Sequence, residues 1–194
     1  DYFAPNGLEH HQSSDSRASE RMFSNAEQSE YYNSLLAHEF THSWNGKYRR
    51  PAGLATPDFE QPMKGDLLWI YEGLTQHIGE MVAARSGLRT PEDYRESLAW
   101  TAAYLDYRPG RNWRPLADTA VAAQALYNVS TSNWASWRRG LDFYDEGWLI
   151  WLDADTLIRE QTGGKKSLDD FCKRFHGGTS GARARWPGGV GPQK

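Results

Sequence analysis

Two histidines four residues apart, His38 and His42, flank Glu39, and Glu72 follows thirty positions after His42. No other feature constrains the fold so strongly. Residues four apart lie on one face of a helix, so HEFTH directs two imidazoles at a common point. A catalytic zinc takes three protein ligands and keeps a fourth position for water, which leaves one ligand to be found elsewhere in the chain. Glu72 lies in the stretch 66–85, where Leu67, Ile70, Leu74, Ile78, Met81 and Val82 recur at helical spacing. A helix here, crossing the first, makes Glu72 the third ligand. Glu39, one residue past the first histidine, then faces the open side of the metal as a base. Such a site lowers the pKa of bound water to about 7 and predicts hydrolysis of a peptide or ester.

Other readings of the same residues are weaker. An amphipathic helix with two incidental histidines explains HEFTH alone but leaves Glu72 without a role. A metzincin needs Gly at 45 and His at 48, where this chain has Asn45 and Tyr48. A ligand about eighteen residues past the second histidine falls on Gln61, beside Glu60, in a loop containing Pro57 and Pro62. His77 is turned about 140° from Glu72 around its helix and is expected to be packed or solvated.

At 194 residues the chain is large enough for one well-buried domain. Its net charge of −3 gives no electrostatic footprint for nucleic acid, so its nine tryptophans are expected in the core and along a cleft. Cys172 is alone, which excludes an internal disulfide. No apolar run approaches the roughly twenty residues of a membrane span, and the chain reads as soluble. It begins at Asp1, without a methionine or signal peptide, which points to a trimmed or processed start. A bacterial cytoplasm or periplasm is the expected setting, the compartment itself being left open.

Along the chain, 1–24 is polar, with a short strand expected around Leu8. A first helix is expected from Ser29 to Asn45, with Tyr32, Leu35, Leu36 and Phe40 on its apolar face and Gly46 ending it. The second ends at Gly87. Thr90, Pro91, Glu92 and Asp93 announce a third, to Tyr107. The stretch 118–127 reads as helix and 128–137 as loop or site rim. A long helix from Leu141 to Thr162 carries Tyr144 near its start, and Ser167 caps a last one through His176. Beyond Gly177 the chain is Gly, Pro and Arg, a composition suited to a linker.

HEFTHSWNGKYRRPAGL followed by LLWIYEGLTQ resembles the glycyl aminopeptidase family of zinc peptidases, gluzincins related to thermolysin. There HExxH is followed by a Trp-Asn pair and a basic Arg-Pro segment. The likeness continues through Phe143-Tyr144-Asp145-Glu146-Gly147 and Gly163-Gly164 with Ser167-Leu168-Asp169-Asp170, covering roughly 7–177. It implies a mainly α, thermolysin-like gluzincin catalytic domain, helical with a short β segment at the N-terminus. It also implies one Zn2+ ion held by His38, His42 and Glu72, with Glu39 as general base and Tyr144 stabilising the oxyanion. Gly7-Leu8-Glu9-His10 looks like the exopeptidase signature of related aminopeptidases, which gives Glu9 the substrate's α-ammonium group. His10 and His11 are taken as surface or rim residues.

The expected activity is zinc-dependent removal of N-terminal residues from peptides, with the preference for Gly or Ala coming from the resemblance alone. An endopeptidase with the same site and a non-catalytic peptide-binding module remain the alternatives. Gln76 and Glu80, beyond Glu72 on its helix, are candidates to support the histidines. The partner is a peptide, with no nucleic acid and no membrane. Family members are longer, with a β-rich domain before the catalytic region and a PDZ-like domain after it. The expected division is therefore 1–177 as catalytic domain and 178–194 as tail or linker, with further domains in the full protein.

Overall fold

The computed structural model describes residues 6–10, 13–126 and 135–177. It is mainly helical, with one antiparallel hairpin of β1 (Asn6–His10) and β2 (Ser13–Arg17) at its start. Helix α1 spans Ala26–Thr41 and α2 spans Leu68–Ser86, the two metal-motif segments. They are followed by α3 (Pro91–Asp106), α4 (Leu116–Leu126), a short α5 (Ala135–Arg138), α6 (Asp142–Thr162) and α7 (Leu168–His176). No helix among the described residues is long and apolar enough to cross a membrane. The tail 178–194 and most of the segment 128–137 lie outside the described residues.

Local signals account for most of the helix ends. The Asn25 side chain accepts from the Gln28 amide, so α1 begins three residues before the expected Ser29. Thr90 and Ser167 each form a reciprocal capping box, with Asp93 and Asp170 respectively. Gly87 and Gly163 end α2 and α6 in the left-handed region, at φ 79° and 59°. Helix α1 ends at Thr41 rather than at Asn45. Its expected apolar face also needs correction, because Phe40 is 57% exposed and meets Trp44 edge-on at the surface. The buried side of α1 is formed instead by Tyr32, Asn33, Ala37, His38, Thr41 and His42, largely polar groups that face α2 and the site.

The apolar core sits between α2, α4 and α6, where Ala120, Ala123 and Phe143 are buried beneath Leu68, Trp69 and Leu141. Two close approaches bring the site elements together. A Cβ on Gly147 of α6 would lie 2.6 Å from the Gly73 Cα of α2, and one on Gly79 of α2 would lie 2.9 Å from the His38 Cα of α1. Only glycine permits backbones to pass this closely. Strand β1 closes the other side. Its alternation turns Gly7 and Glu9 inward and leaves Leu8 49% exposed. A Cβ on Gly7 would overlap the Glu39 carboxylate, so the strand runs directly over that residue. Strand β2, whose sequence SSDSR lacks apolar alternation, pairs Leu8 with Asp15 and Glu9 with Ser14.

Candidate metal centre and peptide-binding cleft

The last turn of α1 carries His38 and Glu39, and His42 caps it, while Glu72 projects from the second turn of α2. All four are buried, none more than 8% exposed. The Nε2 atoms of His38 and His42 lie 3.1 Å apart, and Glu72 Oε2 is 3.3 Å from the first and 3.4 Å from the second. None of these approaches gives Glu72 Oε2 a hydrogen-bond donor; it is a buried oxygen with no partner.

The far sides of both rings explain why the near sides are bare. His42 Nδ1 donates to the Asn45 carbonyl at 2.8 Å, an oxygen that can only accept. His38 Nδ1 lies 2.9 Å from Gln76 Oε1, while the Gln76 amide nitrogen donates to Glu80 Oε1 at 3.1 Å. Glu80 in turn binds Arg89 at 2.6 Å. With both Nδ1 atoms acting as donors, both Nε2 atoms present lone pairs to each other and to Glu72. Three converging electron pairs in a buried place repel one another unless positive charge lies between them. His42 reflects this. Burial alone would lower its proton affinity, but the Glu72 carboxylate beside it brings its pKa up to about 9. Burial likewise acts to raise Glu72, yet the two imidazoles hold it down at about 2. Two imidazole nitrogens and a carboxylate oxygen within 4.8 Å of one another match the donor set of a His2Glu zinc site.

Asn45 was not foreseen as a supporting residue. Besides receiving the His42 proton, it donates from its side chain to the Tyr71 carbonyl and the Thr75 hydroxyl, both at 2.9 Å, tying the end of α1 to α2. The signal available in the sequence was the Trp44-Asn45 pair directly after the motif. Gln76 and Glu80 were both candidates for support, and the geometry gives them different places: Gln76 touches His38, and Glu80 holds Gln76. His77 is buried, with both ring nitrogens unpartnered, and burial lowers its pKa to about 4.

Glu39 lies beside the cluster. Its Oε2 is buried without a partner, and burial, followed by the opposing effect of His38 and His42, leaves its pKa raised. Glu9 reaches the same place from β1: a carboxylate oxygen of Glu9, one of Glu39 and a His42 nitrogen all lie within 4.8 Å of one another. The Tyr71 hydroxyl fixes Glu9 by donating to its Oε1 at 2.6 Å, and the Tyr71 ring stacks on His42 at 5.0 Å. Tyr144, from the first turn of α6, approaches on the opposite side, its ring 5.8 Å from that of His38. The start of α6 is anchored by Asp142, which accepts from Arg108 at 2.9 Å and Arg139 at 3.1 Å. His10 is exposed, and His11 lies outside the described residues.

This geometry is matched by descent. The family model of the M61 glycyl aminopeptidases aligns with residues 18–150. The chain belongs to that family. The match includes His38, Glu39, His42, Glu72 and Tyr144, while Glu9 lies before it. No curated protein matches the chain significantly. Among solved structures, the chain is similar to an aminopeptidase N family protein from Idiomarina loihiensis, at 24% identity and a TM-score of 0.77. The alignment covers 89% of this chain and 30% of that one, and it shows a shared fold. The chain thus spans less than a third of the length of that relative. M61 membership and this fold agree with a helical, aminopeptidase-like domain bearing a short N-terminal hairpin.

Proposed function

We propose that this M61 family member is a zinc-dependent aminopeptidase that removes N-terminal residues, small ones such as Gly or Ala, from peptides. The observation that carries the reading is the convergence of His38 Nε2, His42 Nε2 and the unpartnered Glu72 Oε2, with both histidines held from behind. His38, His42 and Glu72 would hold a zinc ion, which when bound would supply Lewis acidity and a nucleophilic water at neutral pH. Glu39 takes a proton from the attacking water and passes it to the leaving amine nitrogen. The Tyr144 hydroxyl donates to the oxygen on which negative charge develops, an interaction worth about 3 kcal/mol where water is excluded. Glu9, set by Tyr71, binds the α-ammonium group, and this contact makes the site count from the amino terminus.

Zinc content and turnover of an alanine anilide, measured together on wild type and Glu39→Gln, test the reading. Wild type should hold one equivalent of zinc and turn over; the variant should keep the metal and lose at least about a hundredfold in kcat, as expected for removal of a general base. Loss of metal-dependent turnover in wild type refutes the proposal. Glu9→Ala separates exopeptidase from endopeptidase: cleavage of free amino termini should fall, and equal cleavage of acetylated peptides by both proteins would favour the endopeptidase.

A further inference from the structure

A cavity of about 860 Å³ opens beside His38, Glu39 and Tyr144, lined from α1, α2, α3 and α6 and by Asn6 and Gly7 of β1. Its walls combine apolar surface from Leu35, Trp100, Leu141 and Trp148 with the carboxylates of Asp145 and Glu96 and the Glu80–Arg89 ion pair. The neighbouring acids have cations: Glu80 is bound by Arg89, and Asp142 by Arg108 and Arg139. Asp145 faces the cavity with only the positive charge of Arg108, already paired to Asp142, acting on it among the described residues, and Glu96 is exposed at the rim. Glu39, whose Oε2 is buried without a partner, lines the cavity, so the cavity adjoins the reacting position.

The arrangement sets a direction for a bound peptide. Glu9 and Tyr71 stand on the His42 side, whereas Gln76 and Tyr144 stand on the His38 side. A peptide with its α-ammonium at Glu9 and its first carbonyl between Glu39 and Tyr144 leads its second residue toward the cavity. A long side chain there lays its methylenes on tryptophan and leucine and brings its end to Asp145. We propose that this cavity receives the side chain of the residue after the scissile bond, and that Asp145, with Glu96 at the rim, selects lysine or arginine there. The proposal rests on the aminopeptidase reading of the same site. Burial and the charge of Asp142, opposed by Arg108, bring the Asp145 pKa up to about 6, so a further cation beside it favours the ionised group.

The probes are Ala-Lys-amide, Ala-norleucine-amide and Ala-Glu-amide, which share the first residue and differ in the charge of the second. Binding is measured by calorimetry on the zinc-loaded full-length Glu39→Gln protein, and kcat/KM on wild type. The lysine probe should exceed the norleucine probe about tenfold, as for a hydrogen bond between charged partners, and the glutamate probe should be weakest. In Asp145→Asn the lysine-to-norleucine ratio should fall toward one, and Glu96→Gln should lower it partway. A ratio near one in the unsubstituted pocket, or an undiminished ratio in Asp145→Asn, overturns the proposal. If Asp145→Asn does not fold, the wild-type order of the three probes decides. Lysine-selective binding without turnover of any peptide would refute the aminopeptidase reading and leave the pocket standing. Turnover with no charge preference would do the reverse.

Discussion

Replacing Gly147 by alanine places a methyl group where α2 and α6 touch, and the consequence can be worked from their spacing. The new Cβ would lie 2.6 Å from the Gly73 Cα and 3.0 Å from the Trp69 carbonyl oxygen. Carbon atoms in comfortable contact are about 3.5–4.0 Å apart, so the helices must separate by roughly 1 Å. Overpacking of this kind costs about 1–3 kcal/mol, and the better helix propensity of alanine returns about 1 kcal/mol. The net loss of about 0–2 kcal/mol corresponds to a drop in Tm of up to about 8 °C for a chain of this size. Activity should suffer more than stability. Tyr144 sits one turn before Gly147 on α6, and a displacement of about 1 Å at a reacting group costs on the order of a hundredfold. Steady-state kinetics on an alanine anilide, a thermal melt and zinc analysis of the purified variant test this together. Lowered kcat with retained zinc is expected, since the ligands reside on α1 and α2. A variant with raised Tm and wild-type kcat would refute the claim that the glycine contact sets the position of Tyr144.

Three further outcomes are expected. Gln76→Leu removes the acceptor of the His38 Nδ1 proton, and zinc affinity measured by competition with a chelator should fall about 10–100-fold. Tyr71→Phe frees Glu9 from its hydrogen bond, so KM for peptides with free amino termini should rise while the inhibition constant of an acetylated peptide stays constant; parallel changes in both would argue against a positioning role. The folded-state pKa of His77, about 4, lies below its unfolded value near 6.5, because burial disfavours the charged ring. Between these values the unfolded chain binds more protons, so stability falls as pH drops from 6.5 to 4, by at most about 3 kcal/mol. His77→Phe should flatten that limb of a pH series of denaturant melts; an unchanged slope would show that other groups produce it.

Residues whose chemistry and spacing act locally are readable in the sequence alone. The caps Thr90 and Ser167 and the terminating glycines Gly87 and Gly163 gave their helices limits close to those observed, because each satisfies backbone groups within a few positions. The pairing of HEFTH with Glu72 was readable because only a few side-chain sets bind zinc. What depended on long-range packing was not. Nothing in SSDSR signals a strand, since its pairing comes from the β1 backbone and not from apolar alternation. Phe40 fits helical periodicity but lies outside the face that α2 covers. Gly73 and Gly147 read as ordinary helix residues, and only the crossing reveals why neither carries a side chain. Asn45 stood in plain view, yet its role required knowing that the chain turns back toward His42.

The hairpin has a consequence of its own. Every proposed zinc ligand and proton carrier belongs to a helix or, like His42, caps one, whereas β1 brings only Glu9 and a bare backbone at Gly7. On the proposed reading, cleavage and recognition of the amino terminus reside in separate parts of the architecture. A redesigned strand could shift the point of attack along a peptide without disturbing the machinery that breaks it.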